Sequence, residues 1–211
     1  MIAICSVFSI IDGVGFYSYP TGMLMGTMDL SMVLAALRAT GRAMETAGVR
    51  CPIMIVIGGS VAGLLANDLE PPRTTDDCDV IWSKPLDQWS MIEAAASRVA
   101  DEFGLPRTWL NDDSRVHAWS LPIGWRNRCQ LVECTGPLEV LRLDRFDLIA
   151  SKVMSAPARP HDLEDLLHLR PTRDELLRLA EHLDRLEAED LDRTTYDEQR
   201  GILGFLRGTS A

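Results

Sequence analysis

The sequence predicts an α+β fold: a mixed β-sheet flanked by helices, followed by a helical C-terminal part. Three observations predict it. Short apolar runs at 53–57, 79–82, 130–134 and 138–141 have the length and bounding residues of strands. Amphipathic helical spacing lies between and before them. After Asp144 strand patterns cease and densely charged helical segments take over.

In chain order, residues 1–27 are apolar, rich in Gly and Met, and lack Lys and Arg. A secretory signal needs a positive start, and Asp12-Gly13 and Tyr19-Pro20 interrupt any spanning helix. The stretch reads as an N-terminal extension, with ordinary folding beginning near Met28. Asp29 or Ser31 is suited to cap a helix over 32–47, whose stripe includes Leu30, Val33, Leu34 and Leu37. Residues 53–57 are fully apolar, as a strand covered on both faces requires. A short helix over 61–67 starts from glycines. Pro71-Pro72 makes 69–75 a loop.

The strand at 79–82 precedes a helix over 86–103 that Gly104 ends. Residues 107–128, with Trp109, Trp119, Trp125 and Asn111-Asp112-Asp113, read as loops and irregular strand. Thr135-Gly136-Pro137 joins the last two strands. Helices are expected over 145–155, 162–169, 174–189 and 195–206. The organisation is thus an α/β core over 28–143 and a helical region over 144–211 packed upon it, with no flexible linker.

Formal net charge is −10. This disfavours non-specific attraction of nucleic acid to the whole surface, while leaving room for a local basic groove or a basic partner. The chain has 5 cysteines and no C-x-x-C pair, which fits reduced thiols and a cytoplasmic setting.

The chemistry concentrates between Gly58 and Asp79. Two glycines at a strand end let the backbone approach a ligand closely. The helix after them directs N–H groups and a positive dipole end at the same spot, and Ser60 adds a hydroxyl. Asp77 and Asp79, two apart on an extended chain, project to one face, where they can share a Mg²⁺ with substrate phosphates. Taken separately, a tight turn and a solvated acidic turn explain these pieces equally well. No G-x-x-x-x-G-K-[ST] loop is present. In a G-x-G-x-x-G reading Ser60 replaces the middle glycine, and the acids open a strand rather than close one.

Gly58-Gly59-Ser60 followed by Arg73-x-Thr75-x-Asp77-x-Asp79 resembles the signature of the nucleotidyltransferase superfamily with the polymerase-beta-like fold. Phe146-Asp147-Leu148-Ile149-Ala150-x-Lys152, then Arg159 and His161-Asp162-Leu163-Glu164-Asp165-Leu166, is similar to a block of its AbiEii/MenT-like toxin branch. The resemblance covers about 53–169 and implies a nucleotidyltransferase-like sheet. Gly58, Gly59, Ser60, Arg73 and Thr75 would bind the nucleotide. Asp77 and Asp79 would hold Mg²⁺ or Mn²⁺. Lys152 would neutralise phosphate charge, and Asp162 or Asp165 would complete the site.

The reaction implied is transfer of NMP from an NTP to a hydroxyl of RNA, typically tRNA, or of a protein. The setting implied is a type IV toxin–antitoxin or defence system, with a cognate antitoxin as partner and no membrane. A third carboxylate found in many active members has Glu133 as its candidate. Two other readings remain: a catalytically degenerate nucleotide-binding protein, and a small-molecule transferase of the aminoglycoside type.

Bland readings compete for several residues. Lys152 can be a surface lysine with a snorkelling stem. His161, Asp165 and His168 share a helical face, as a cap and ion pairs would also explain. The three tryptophans can seal the core or stack a base. Arg107, Arg115, Arg126 and Arg128 suggest a phosphate-binding rim for RNA.

Overall fold

The computed structural model describes residues 27–69, 74–189 and 195–209. Residues 1–26 of the N-terminal extension, and Arg73, lie outside the described residues. Five strands form one mixed sheet in the order β3-β2-β1-β5-β4. They are β1 (Ile53–Ile57), β2 (Cys78–Lys84), β3 (Leu110–Asn111), β4 (Gln130–Thr135) and β5 (Leu138–Arg142). β1 runs antiparallel to β2 and parallel to β5, while β4 and β5 form a hairpin.

Two layers of helix cover the sheet. On one face α1 (Leu30–Thr46) and α3 (Trp89–Phe103) pack Val33, Leu37, Ile92 and Val99 against Ile53, Ile55 and Val80. Asp29 caps α1 through the Met32 N–H at 2.8 Å. On the other face Val56, Ile81 and Leu143 join one core with α5 (Arg145–Ser155), α6 (Pro160–Leu169), α7 (Arg173–Glu189) and α8 (Asp197–Thr209). The helical part therefore shares a core with the sheet. Alternation along each strand sorts side chains between these two layers.

The stretch between β3 and β4 is more ordered than its composition predicts. It forms a 3-10 segment over Asp113–Ser120 and a short helix α4 (Trp125–Arg128). Trp109 is fully buried and donates to the Ala96 carbonyl at 3.0 Å. Trp125 is buried edge-on to Trp82. Arg128 makes a double hydrogen bond to the buried Asp147 carboxylate at the start of α5, at 3.0 and 2.6 Å. Burial pushes the Asp147 carboxyl up to about 7, against the pull of Arg128.

Topology gathers the chemistry at one end of the sheet. β1 and β5 are parallel neighbours, so their C-terminal ends coincide. β2 is antiparallel to β1, so its first residues lie at that end too, with Val80 opposite Ile57. From this edge α2 (Gly59–Ala66) leaves β1 and α5 leaves β5.

Candidate active site

The turn after β1 is shaped by protein as much as by any ligand. The Gly58 N–H donates to the Asp79 carbonyl at 2.9 Å. A Cβ on Gly58 would stand 2.7 Å from Ile81 Cγ2. Gly59 has φ of +58°, and a Cβ there would stand 2.8 Å from Asp79 Oδ2. The second glycine therefore lets the Asp79 carboxylate rest on the N-terminal end of α2, where the helix dipole favours negative charge.

Asp79 also accepts a hydrogen bond from the Ser114 hydroxyl at 3.1 Å. Asp77 stands just before β2, at the surface. Partial burial at the cleft and the Asp79 charge raise its pKa, with Arg159 pulling the other way. Thr75 supports this turn. It pairs its backbone with Met28 and donates its hydroxyl to the Asp77 carbonyl at 2.9 Å.

Across the cleft, α5 and α6 present a compact buried cluster. Lys152 Nζ is 2.5 Å from Asp162 Oδ1 and 2.7 Å from Asp165 Oδ2, and its side chain is 3% exposed. It donates to Ser60 Oγ at 3.4 Å, and Ser60 donates to Asp165 at 3.3 Å. Ser155 donates to Asp162 Oδ2 at 2.6 Å. Burial opposes ionisation of Asp162, but the Lys152 charge and these hydrogen bonds outweigh it and hold the carboxyl below its usual range. Pro160 and Asp162 in the first turn of α6 suit a helix start.

A cleft of ≈ 260 Å³ separates the two groups, with Gly59, Asp79, Lys152, Arg159 and Asp162 along it. Residues on either side of the chain midpoint thus line one space. Asp165 and Ser60 sit behind Lys152, and Asp77 stands near enough to Asp79 and Arg159 to feel their charges.

Glu133 does not join them. It lies on the edge strand β4, with β5 and β1 between it and β2, on the face covered by α1. There it forms an ion pair with Arg38 at 2.6 Å and accepts from Thr135 Oγ1 at 3.0 Å. Its sequence position suggested a third acid; sheet order and strand facing send it elsewhere.

The arginine rim is also reduced. Arg128 is tied to Asp147, and Arg107 and Arg115 pair with Asp101 and Asp112. Arg126 lies over the Trp82 and Trp125 rings. On α6, Asp165 turns inward while His161 and His168 stay exposed, so their shared helical face is not a ligand set.

Four side chains at the site carried no strong sequence signal. Ser114 and Trp119 come from an irregular stretch, Ser155 is an ordinary helix residue, and Arg159 stood out only through the motif block.

Asp77 and Asp79 offer all-oxygen donors of the kind hard divalent cations take. Partial burial first, and the Asp79 charge second, raise the Asp77 pKa, and a cation held there would offset both. Among the described residues no three His, Cys, Asp or Glu side chains gather as a closed metal cage would require. A two-carboxylate donor set of this kind fits Mg²⁺ shared with substrate oxygens.

A mixed sheet with a glycine turn and an acid pair at one end, faced by a helical lysine–aspartate cluster, has the form of a nucleotidyltransferase. The chain belongs to the family described as nucleotidyltransferase of unknown function (DUF6036), whose model matches residues 33–197 and so spans both sides of the cleft. Comparison with curated proteins and with solved structures gave no match. Among the described residues no helix is long and apolar enough to cross a membrane.

Proposed function

We propose that this chain is an active, Mg²⁺- or Mn²⁺-dependent enzyme that transfers NMP from an NTP to a hydroxyl of RNA, with tRNA as the first candidate, or of a protein. We further assign it to the AbiEii/MenT-like kind, acting as the toxin of a toxin–antitoxin or defence pair in the cytoplasm. The observation that carries the activity is the approach of Asp79, Lys152 and Asp162 to one cleft from residues far apart in the chain. The subtype rests on the Lys152–Arg159–Asp162–Asp165 block.

Asp77 and Asp79 would hold the divalent ion. When bound it would offset charge on the α-phosphate and the departing pyrophosphate. The remaining work belongs to the chain. The N-terminal end of α2 receives phosphate oxygens through its backbone N–H groups. Arg159, about half exposed at the cleft, supplies a cation to the same charge. Lys152 is held between two carboxylates, so it fixes the helical wall before it meets any phosphate.

One phosphorus–oxygen bond forms to the acceptor as another breaks to pyrophosphate. Positioning and electrostatics therefore carry the rate.

Incubation with each labelled NTP, Mg²⁺ and total tRNA tests this, with Asp77→Ala and Asp79→Ala as controls. Label on RNA or protein that both variants lose supports the reading. The position of Glu133, away from the acid pair, favours a second reading, a nucleotide-binding protein without turnover. NTP binding with no transfer under any condition would select it.

A further inference from the structure

The cleft lining is of two kinds. Asp79, Lys152, Arg159 and Asp162 bring charge to it, whereas Ala118, Trp119, Leu121 and Met154 add an apolar part. The three tryptophans of this region fare differently. Trp109 is 0% and Trp125 4% exposed, but Trp119 is 64% exposed. Among the described residues no aromatic ring or cation covers the Trp119 indole, although Arg126 covers both Trp82 and Trp125. Trp119 therefore lines the cleft with its indole face open, and a flat ring stacked on it would remove apolar surface from water.

The 3-10 segment that carries Trp119 is held at both ends. Ser114 donates to Asp79 Oδ1 at 3.1 Å near its start. At its end the buried His182 of α7 binds the Ser120 carbonyl through Nε2 at 2.8 Å. Five residues of 3-10 helix rise by about 10 Å, which sets Trp119 from Ser114 on the scale of a nucleoside between its base and its phosphates.

We propose that this apolar wall receives the base of the incoming nucleotide, with the Trp119 indole as its stacking platform. The inference rests on the nucleotidyltransferase reading and adds the recognition element to it. Every base offers a π face, so the wall distinguishes nucleotides from inorganic polyphosphate far more than it distinguishes one base from another.

Equilibrium binding of the four NTPs, of inorganic tripolyphosphate and of a short single-stranded RNA to wild type, Trp119→Ala and Trp119→Phe tests it. Trp119→Ala is expected to weaken NTP binding about tenfold or more, and Trp119→Phe by no more than about threefold. Tripolyphosphate should bind all three forms equally. Three results would overturn the assignment: unchanged NTP binding in Trp119→Ala, equal loss of NTP and tripolyphosphate, or loss of RNA alone, which would make the wall an acceptor site. Wild type that binds neither NTP nor tripolyphosphate would defeat the parent reading as well. Wild type that binds both, with no effect of Trp119, defeats only the base wall.

Discussion

Two pairs of aspartates lie on opposite sides of the cleft, Asp79 and Asp162 lining it, and their surroundings are opposite. Asp162 and Asp165 are about 1% exposed and share the Lys152 ammonium, with Ser155 and Ser60 completing their hydrogen bonds. Asp77 and Asp79 lie on the wetter side, where Ser114, the helix end and the distant Arg159 offset their charge only in part. The pKa directions differ: against its burial, the Lys152 charge and hydrogen bonds hold Asp162 low, while partial burial first and the Asp79 charge second raise Asp77. A carboxylate pair that is already neutralised is scaffolding, whereas a pair that still repels itself has capacity for a cation. Under the proposed function the helical half would supply rigidity, and the strand half the charge that meets the metal.

The sharpest way to break that contrast is to remove the lysine. Lys152→Met leaves two buried carboxylates without their cation and is expected to cost about 3–5 kcal/mol of stability, read as a drop in the urea midpoint. An unchanged midpoint would mean that the cluster does not hold the halves together.

The strand pair should respond in the other sense. Asp79→Asn is expected to reduce nucleotide transfer at least about a hundredfold. Asp77→Asn should also lose transfer while its melting temperature stays level or rises, because a like-charge contact has been relieved. A clear fall in its melting temperature would contradict the uncompensated pair.

Substitution at Gly59 probes the join between the two sides. An alanine there must adopt a positive φ and displace the Asp79 carboxylate. The conformational part alone costs about 1–2 kcal/mol, and transfer should fall together with stability. Calorimetry and a transfer assay on the same preparation would separate this from a purely catalytic effect.

Acid titration sharpens the comparison further. The Asp162 carboxyl is lowered from 3.8, so its stabilisation is present above that value and is lost as pH falls below it. The difference in unfolding free energy between wild type and Asp162→Asn should be constant near neutrality and shrink below about pH 4. A difference that grows on acidification would contradict the lowered Asp162 carboxyl.

The smallest effect is expected outside the cleft. Glu133→Gln weakens a half-exposed pair with Arg38 and should cost less than about 1 kcal/mol. It should leave transfer intact. Lost transfer with unchanged folding would restore Glu133 as a third acid.

Much of the framework was legible in the sequence because it is local. Strand patterning marked 53–57 and 138–141, within one residue of the observed strands, Asp29 and Gly104 marked helix ends, and the Gly58–Ser60 and Asp77–Asp79 spacings marked a turn and an acid pair. The block from Phe146 to Leu166 marked the helices opposite them. Ser114 was hidden, and Trp119 could not be told apart from Trp109 and Trp125, because 3-10 geometry leaves neither a period of 2 nor one of 3.6 to detect.

Outside 107–128, what the sequence determined by itself is which segments are strand or helix and which residues carry charge, since periodicity and capping act within a few positions. Only the tertiary structure decided how those charges pair. It joined Ser60 to Lys152 and Asp165 across about half the chain, gave Glu133 to Arg38 on the opposite face, and left Trp119 open where Trp109 and Trp125 are sealed. The physical reason is that burial and ion pairing depend on which distant segments share a sheet end and a face. Strand order sets that, and no local spacing records it.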